Sequence, residues 1–175
     1  MSSSITSHHR TAPGFSLVEM LVVLALLGVL ATMGVPAVAG AIEQFTFNSA
    51  ARSVAADIRS ARWAAVAKNR TMLLRFNCPA ANQYRLVEFT GNPTIDGAAD
   101  RCSTIAYPFP DAAPGVAPDA DGPVITLPRG ITFGLVQDLA FGPTGRVPAS
   151  VTIGVTNGTR TRTITVPVNG RVAEQ

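Results

Sequence analysis

A single carboxylate, Glu19, stands out among the side chains that could do chemistry. It is the one charge in the 21 residues from Phe15 to Val35, which are otherwise almost wholly apolar. A carboxylate in an apolar helix costs on the order of a few kcal/mol unless a cation pairs with it, so such residues usually have a function. Cleavage between Gly14 and Phe15 would create an amine one helical turn from Glu19. We therefore expect Glu19 to pair with the N-terminal amine of a neighbouring copy or relative.

Cys78 and Cys102 are the two cysteines of the chain. Their number fits one disulfide formed in an oxidising compartment, which would stabilise the fold by roughly 3 to 4 kcal/mol in the chain-entropy model. Two buried free thiols are the alternative.

The segment Asp119-Ala120-Asp121-Gly122 holds two spaced carboxylates and a glycine, which are elements of a calcium loop. A full calcium loop has three or more ligands and a closing glutamate. We therefore interpret the segment as a solvated loop and predict no metal site and no cofactor.

The N-terminal residues resemble a known signature. A short polar leader ends in Gly14, Phe-Ser-Leu-Val-Glu follows, and about sixteen apolar residues then lead to Pro36. This pattern resembles the start of type IV pilins and of the pseudopilins of type II secretion. The resemblance implies that a prepilin peptidase cuts after Gly14 and methylates Phe15, and that Glu19 sets the register of assembly. An ordinary membrane anchor is the alternative interpretation.

The composition argues against an enzyme. Both histidines, His8 and His9, lie in the leader, so the processed chain would lack the Ser-His-Asp, Cys-His and histidine–metal arrangements. The formal net charge of +3 is too small to indicate nucleic-acid binding by itself. We predict a non-enzymatic protein.

A long helix should position Glu19. Residues 15–36 predict a membrane-spanning first half, because the 21 residues from Phe15 to Val35 would rise roughly 32 Å as a helix, enough to cross a bilayer. Residues 37–69 predict an amphipathic second half. The apolar stripe of that second half recurs at spacings of three and four and comprises Phe47, Ala51, Val54, Ile58, Ala61 and Ala65. Arg10 would keep residues 1–14 in the cytoplasm. A conventional signal peptide cleaved after Ala39 is the competing interpretation.

Residues 70–175 predict a small antiparallel β domain. Its expected strands are 71–76, 83–89, 124–127, 131–135, 139–141, 151–155 and 159–166. A Pro- and Asp-rich surface excursion, 91–123, is expected to be pinned by Cys102. A two-residue turn at Asn157-Gly158 would pair Val155 with Arg160 and Ile153 with Arg162. That register places arginines on an apolar face. Either the aliphatic parts of these side chains lie along the edge of the face with their charged ends in solvent, or the register differs.

The order of these parts resembles the GspH/FimT branch of the pilin superfamily. The elements that carry the resemblance are Ala50-Ala51-Arg52, residues 64–69, Phe141-Gly142-Pro143-Thr144-Gly145-Arg146, residues 162–166 and Asn169-Gly170-Arg171-Val172. The implied fold is α+β and pilin-like, with the long N-terminal helix packed on the β domain.

Three arginines near the C-terminus, Arg160, Arg162 and Arg171, could form a basic patch for DNA. Some members of the branch are DNA receptors that use a Gly-Arg-x-Arg element. The aligned element here is Gly170-Arg171-Val172-Ala173, in which alanine replaces the second arginine. DNA binding during uptake is therefore the alternative function.

The resemblance implies a minor pseudopilin or minor pilin that supports fibre assembly and protein secretion. Its location would be the bacterial inner membrane, crossed once, with a periplasmic C-terminal domain. The partners implied are other major and minor pseudopilins or pilins, the prepilin peptidase, the inner-membrane assembly platform and membrane lipid, with nucleic acid under the alternative.

Overall fold

The computed structural model describes residues 14–109, 118 and 120–175, and it gives residues 33–37 by their backbone alone. The predicted leader before Gly14, which holds both histidines, lies outside these residues, as does Asp119. The chain divides into two units, Met1–Glu43 and Gln44–Gln175.

One helix, α1, runs from Leu17 to Lys68. The sequence predicted two helical halves, residues 15–36 and 37–69. In the structure, α1 is helical on both sides of residue 36 without a break. The helix ends because Asn69 takes a left-handed conformation with φ of 52°. The N–H of Arg70 then donates to the carbonyl oxygen of Ala65 at 3.1 Å, as in a Schellman cap.

By hydropathy, none of the helices in the described part of the chain is sufficiently long and apolar to span a membrane.

The apolar stripe predicted for the second half of α1 is confirmed. All six of its residues are buried, with exposed fractions of 3 % or less. Their spacing places them on one face of a helix with 3.6 residues per turn, and that face packs into the core.

Within the described residues, eight strands form two antiparallel four-stranded sheets. Their bounds are β1 Met72–Phe76, β2 Gln83–Glu88, β3 Val124–Thr126, β4 Thr132–Phe133, β5 Leu139–Phe141, β6 Val151–Thr156, β7 Thr161–Val166 and β8 Ala173–Glu174. The first sheet has the order β3-β2-β1-β5 and the second the order β4-β6-β7-β8. The prediction of an α+β fold, with the N-terminal helix packed on antiparallel sheets, is confirmed.

Two short elements were not predicted from the sequence. A four-residue helix, α2, spans Pro93–Asp96, and the side chain of Asn92 caps it by accepting a hydrogen bond from the N–H of Thr94 at 3.0 Å. Strand β8 pairs Thr165 with Ala173. Both are too short for a periodic pattern to indicate them.

The predicted register of the last hairpin is wrong. Val155 pairs with Arg162 and Ile153 with Ile164, so the partners are shifted by two residues. The reason is a longer loop, in which the side-chain oxygen of Asn157 accepts from the N–H of Arg160 at 2.8 Å. Arg160 therefore lies in the loop. Of the two arginines, only Arg162 remains on the same face as Val155, and its side chain is half-exposed.

Candidate functional site

The N-terminal part of α1, together with Phe15 just before it, presents an apolar surface to its surroundings. Phe15, Leu17, Leu24 and Leu30 are 77 %, 75 %, 63 % and 65 % exposed. A contiguous apolar surface of this kind marks a site of contact with another protein or with lipid.

Glu19 is exposed on this segment, in the first turn of α1. A carboxylate at this end of a helix interacts favourably with the helix dipole. It is the one charged side chain between Leu17 and Thr32. A cationic group that binds this surface would therefore pair with Glu19.

The residues at the predicted cleavage point, Gly14 and Phe15, are exposed and precede the first residue of α1. A peptide bond outside regular structure is accessible to a peptidase, whereas one within a helix is not. The geometry therefore suits processing at this point.

The two cysteines are joined by a disulfide, with their Cα atoms 5.6 Å apart. Cys78 lies in the turn between β1 and β2, and Cys102 follows α2. The bond ties the excursion after β2 to the first sheet.

A buried guanidinium also anchors this excursion. Arg85, on β2, is fully buried and donates to backbone carbonyl oxygens of the excursion. These are the oxygens of Gly122 at 2.8 Å, Cys102 at 3.2 Å, Ser103 at 3.0 Å and Tyr107 at 2.7 Å. The hydrogen bonds of Arg85, together with the disulfide, therefore hold the described part of the excursion against the first sheet.

The interpretation of residues 119–122 as a solvated loop is wrong for Asp121. Its carboxylate is buried, forms an ion pair with Arg101, and accepts the N–H of Glu88 at 2.7 Å. A buried carboxylate needs such partners, because an unpaired one would be costly. Among the described residues, no cluster of three or more potential metal ligands occurs.

The three arginines proposed for DNA are not brought together in one cavity. Arg160 is exposed in the β6–β7 loop, and Arg162 is half-buried on β7. Arg171 is exposed and lines a cavity with Arg59, Arg62 and Trp63, whereas neither Arg160 nor Arg162 lines it.

Two loops of the β domain close around Arg62 of α1. Its Nε donates to the carbonyl oxygen of Gly145 at 3.0 Å. Gly145 and Gly170 both have positive φ, of 73° and 74°, and a Cβ on either would lie within 3.1 Å of Arg62 Nε. The glycines of the two C-terminal motifs therefore permit a close approach of backbone to this side chain. We call Arg62, Gly145 and Gly170 the Arg62 clasp.

The comparisons with known proteins decide the family. The family model described as Type II transport protein GspH matches residues 50–170, which is more than half of the chain. The chain belongs to the GspH family. The model described as Prokaryotic N-terminal methylation motif matches residues 10–35, which include Gly14, Phe15 and Glu19.

A solved structure shows that this GspH-family chain shares the fold of a pilin. The type IV minor pilin FimU of Pseudomonas aeruginosa, in space group P21, aligns with a TM-score of 0.51 at 18 % identity. The alignment covers 76 % of this chain and 90 % of that one. A second crystal form of FimU, in space group P65, gives 0.48 at 17 % identity, covering 73 % and 91 %. A comparison with curated proteins finds no match.

Arg62 and Trp63 were not singled out as site residues from the sequence. Arg62 follows directly after Ala61 of the buried stripe, and Trp63 is 72 % exposed. The available signal was the pair of glycine-containing motifs, which match the GspH family in order but do not reveal what the glycines contact.

A partly buried hydrogen bond joins α1 to the first sheet of this GspH-family protein. The hydroxyl of Tyr84 donates to Asp57 at 2.5 Å, and the tyrosine ring is 1 % exposed. Burial, reinforced by the hydrogen bond and the charge of Asp57, strongly raises the pKa of Tyr84. The phenol therefore keeps its proton in the folded state at pH values where the unfolded chain loses it.

This shift predicts a loss of stability at high pH. Because the folded-state pKa exceeds the unfolded value, the contribution is complete below about pH 10 and declines by about 1.4 kcal/mol per pH unit above it. Tyr84→Phe should lower the free energy of unfolding by about 1 kcal/mol at pH 8 and flatten this alkaline decline. Urea unfolding at pH 8 and near pH 11 measures both effects. Tyr107→Phe is the matched loss of a hydroxyl, and an equal flattening there would contradict the assignment to Tyr84.

Proposed function

We propose that this protein is a minor pseudopilin of type II secretion or a closely related type IV minor pilin. In this role it is a non-enzymatic structural subunit, incorporated at or near the tip of a fibre, that supports assembly and protein secretion. Its membership of the GspH family and its N-terminal methylation motif support the proposal. FimU, whose fold it shares, is a type IV minor pilin.

The observation that carries the proposal is one carboxylate on an exposed, otherwise apolar helical segment. Glu19 is the charged member of a surface that has many exposed large apolar side chains. Such a surface requires burial against lipid or protein, and its carboxylate then requires a cation. An N-terminal amine on the neighbouring subunit supplies that cation, so the ion pair would select the correct register between two helices.

Processing would create this amine. In the proposed sequence of events, a prepilin peptidase cleaves between Gly14 and Phe15 and methylates the amino group of Phe15. A methylated secondary amine remains protonated at neutral pH, so it can still pair with Glu19. Both residues of the cleaved bond are exposed and outside the helix, which supports this step.

In the membrane-bound form, residues 15–36 would cross the inner membrane once and residues 37–175 would lie in the periplasm. The 21-residue stretch with a single charge supports this topology. A periplasmic location also suits the disulfide, because bonds of this kind persist in oxidising compartments. Other pseudopilins or pilins, the assembly platform and membrane lipid would then be the partners of α1.

Mass spectrometry of the native N-terminus tests the proposal. We expect the purified protein to begin at Phe15 and to carry one added methyl group on its amine. Cells lacking the prepilin peptidase are the control, and in them the protein should retain residues 1–14. A native protein beginning at Gly40 would instead support a secreted domain released after Ala39, and it would contradict the fibre-subunit proposal.

A further inference from the structure

A cavity of about 220 Å³ lies beside the Arg62 clasp. Its lining combines basic, aromatic and apolar side chains from the C-terminal part of α1 and from the loop before β8. The lining residues are Arg59, Arg62, Trp63, Gly170, Arg171 and Val172.

The cavity carries an excess of positive charge. Arg59 is paired with Glu174, with 2.8 Å between the guanidinium nitrogen and the carboxylate oxygen. Arg62 donates from Nε to a backbone carbonyl, and Arg171 is exposed. Within the part of the chain that the structure describes, neither Arg62 nor Arg171 forms an ion pair with a carboxylate. Among the described residues, therefore, no carboxylate neutralises the guanidinium groups of Arg62 and Arg171.

Trp63 adds a second feature of a binding surface. It is the one tryptophan of the chain and is 72 % exposed, although burial of an indole is strongly favourable. Tryptophan and arginine are the residue types most enriched among the energetically dominant positions of protein interfaces. The indole N–H is also a hydrogen-bond donor that an acceptor group could use.

The cavity walls are held in place by the fold. The Nε of Arg62 is fixed on the carbonyl oxygen of Gly145. The loop that carries Arg171 is closed by a bond from the N–H of Gly170 to the oxygen of Pro167 at 2.7 Å, and the N–H of Arg171 donates to Asn169 at 3.0 Å. Because the guanidinium of Arg62 is already oriented, it loses less conformational entropy when a ligand binds.

We propose that this cavity is a docking site for an acidic side chain, aspartate or glutamate, displayed by another protein. Guanidinium groups bind carboxylates through charge-assisted and often bidentate hydrogen bonds, and Val172 and the Trp63 ring offer apolar contact to the neighbouring peptide. The inference depends on the cavity alone and does not rest on the proposed function.

The same observations favour an acidic protein over a nucleic acid. Binding to a phosphate backbone needs cations along a track, whereas these arginines converge on one cavity and Arg160 and Arg162 do not line it. Glu174, held by Arg59, would also repel a polyanion. A single carboxylate is a closer match in charge.

The fluorescence of Trp63 provides a direct test, because no second tryptophan obscures it. The full chain, purified in a neutral detergent at 150 mM salt, is titrated with the blocked peptide Gly-Val-Glu-Val-Gly, which carries one carboxylate between two apolar side chains. We expect a saturable change in emission, and no such change with the amide peptide Gly-Val-Gln-Val-Gly. Arg171→Gln should weaken binding at least about fivefold, since one of the two unneutralised guanidinium groups is lost.

Arg129→Gln is the matched control. Arg129 is also exposed, and its replacement removes the same charge without altering the cavity lining. We expect its affinity for the acidic peptide to stay within about twofold of the parent. Free acetate, as a third probe, should bind much more weakly than the peptide, because it lacks the neighbouring apolar contacts.

Three outcomes would overturn the proposal. The first is an absence of saturable response to the acidic peptide, and the second is equal weakening in Arg171→Gln and Arg129→Gln. The third is tighter binding of a single-stranded thymidine oligonucleotide than of the peptide at the same salt concentration, which would identify a nucleic-acid site. The side chain of Arg171 is exposed, so Arg171→Gln should fold normally, and a circular dichroism spectrum checks this.

Discussion

Replacement of Glu19 by valine leaves the protein in the membrane fraction and removes it from assembled fibres. This is the largest functional effect that we expect from a single substitution. The reason is that valine preserves and even increases the apolar character of the segment, while it eliminates the carboxylate that would pair with the amine of Phe15 in the adjacent subunit. Under the proposed function, membrane insertion would depend on the first property and assembly on the second.

The expected magnitude follows from the surroundings of the ion pair. When a buried charge loses its partner, the remaining charge is left uncompensated, at a cost of about 3 to 5 kcal/mol. A difference of 1.4 kcal/mol corresponds to about a tenfold change in an equilibrium. Incorporation of Glu19→Val should therefore fall by at least about a hundredfold. Glu19→Gln, which keeps the shape of the side chain, should fall nearly as far, because the amine still loses its negative partner.

The measurement is an immunoblot of sheared fibres and of the membrane fraction from the same cells. Glu43→Gln is the control, since it removes a carboxylate from α1 beyond the predicted membrane segment. It should be incorporated at the parent level. Normal incorporation of Glu19→Val would contradict the register mechanism, even if the chain is confirmed to begin at Phe15.

The second large effect concerns stability. Gly170→Ala should lower the free energy of unfolding of the Gln44–Gln175 unit by at least about 3 kcal/mol. Gly170 has a φ of 74°, which alanine adopts at a cost of roughly 1 kcal/mol. In addition, a Cβ at this position would overlap the carbonyl oxygen of Gly145 and lie 3.1 Å from the Nε of Arg62. The loop would have to move away from α1, so the clasp would open.

Gly158→Ala separates the two contributions. Gly158 has a similar φ of 89°, but no heavy atom would lie within 4 Å of an added Cβ. This control should lose only the roughly 1 kcal/mol of backbone strain. Urea unfolding of both variants, followed by circular dichroism, gives the difference directly. Equal losses for the two variants would show that the contact of Gly170 with Gly145 and Arg62 does not contribute to stability.

The two predictions test separate parts of the protein. Glu19 lies in the Met1–Glu43 unit, where the proposed interactions are with other molecules, and Gly170 lies in the Gln44–Gln175 unit, which carries its own core. A Gly170→Ala protein that unfolds would also be lost from fibres, so only the Glu19 variants, which leave the β domain unchanged, report on assembly itself.

Local patterns in the sequence determined most of the secondary structure. The helix was predicted over residues 15–69 and is observed over Leu17–Lys68, and all six residues of the predicted stripe are buried, although Ala50 and Ala55, which are also buried, were not predicted. Strand β5 was predicted with its observed bounds, and β1 and β2 differ from prediction by one residue at one end. These features depend on spacings of two to four residues along the chain, which a sequence displays directly.

The N-terminal signature was also evident from the sequence, because its meaning lies in residue types at fixed positions. A glycine, a phenylalanine and a carboxylate four residues later need no tertiary contact to be recognised. The GspH family then emerged from the order of motifs across the β domain, and the match over residues 50–170 bears it out.

The tertiary structure alone decided the register of the β6–β7 hairpin and the environment of Asp121. The register depends on whether the side chain of Asn157 closes a two-residue or a four-residue loop, and both loops contain the same Asn-Gly pair. The burial of Asp121 depends on Arg101, twenty positions earlier in the chain. A composition rich in proline and aspartate predicts exposure on average, but it does not identify a specific ion pair.

The Arg62 clasp and its cavity are the clearest case of information that only the folded chain contains. Arg62 and Gly145 are 83 positions apart, and their hydrogen bond forms because the helix and the sheets bury their apolar faces against each other. Periodicity located the face of α1 that enters the core, but which loops would meet its polar flank depends on the packing of the whole unit. The sequence thus determined which elements form and which family they belong to, whereas long-range packing decided which polar side chains meet.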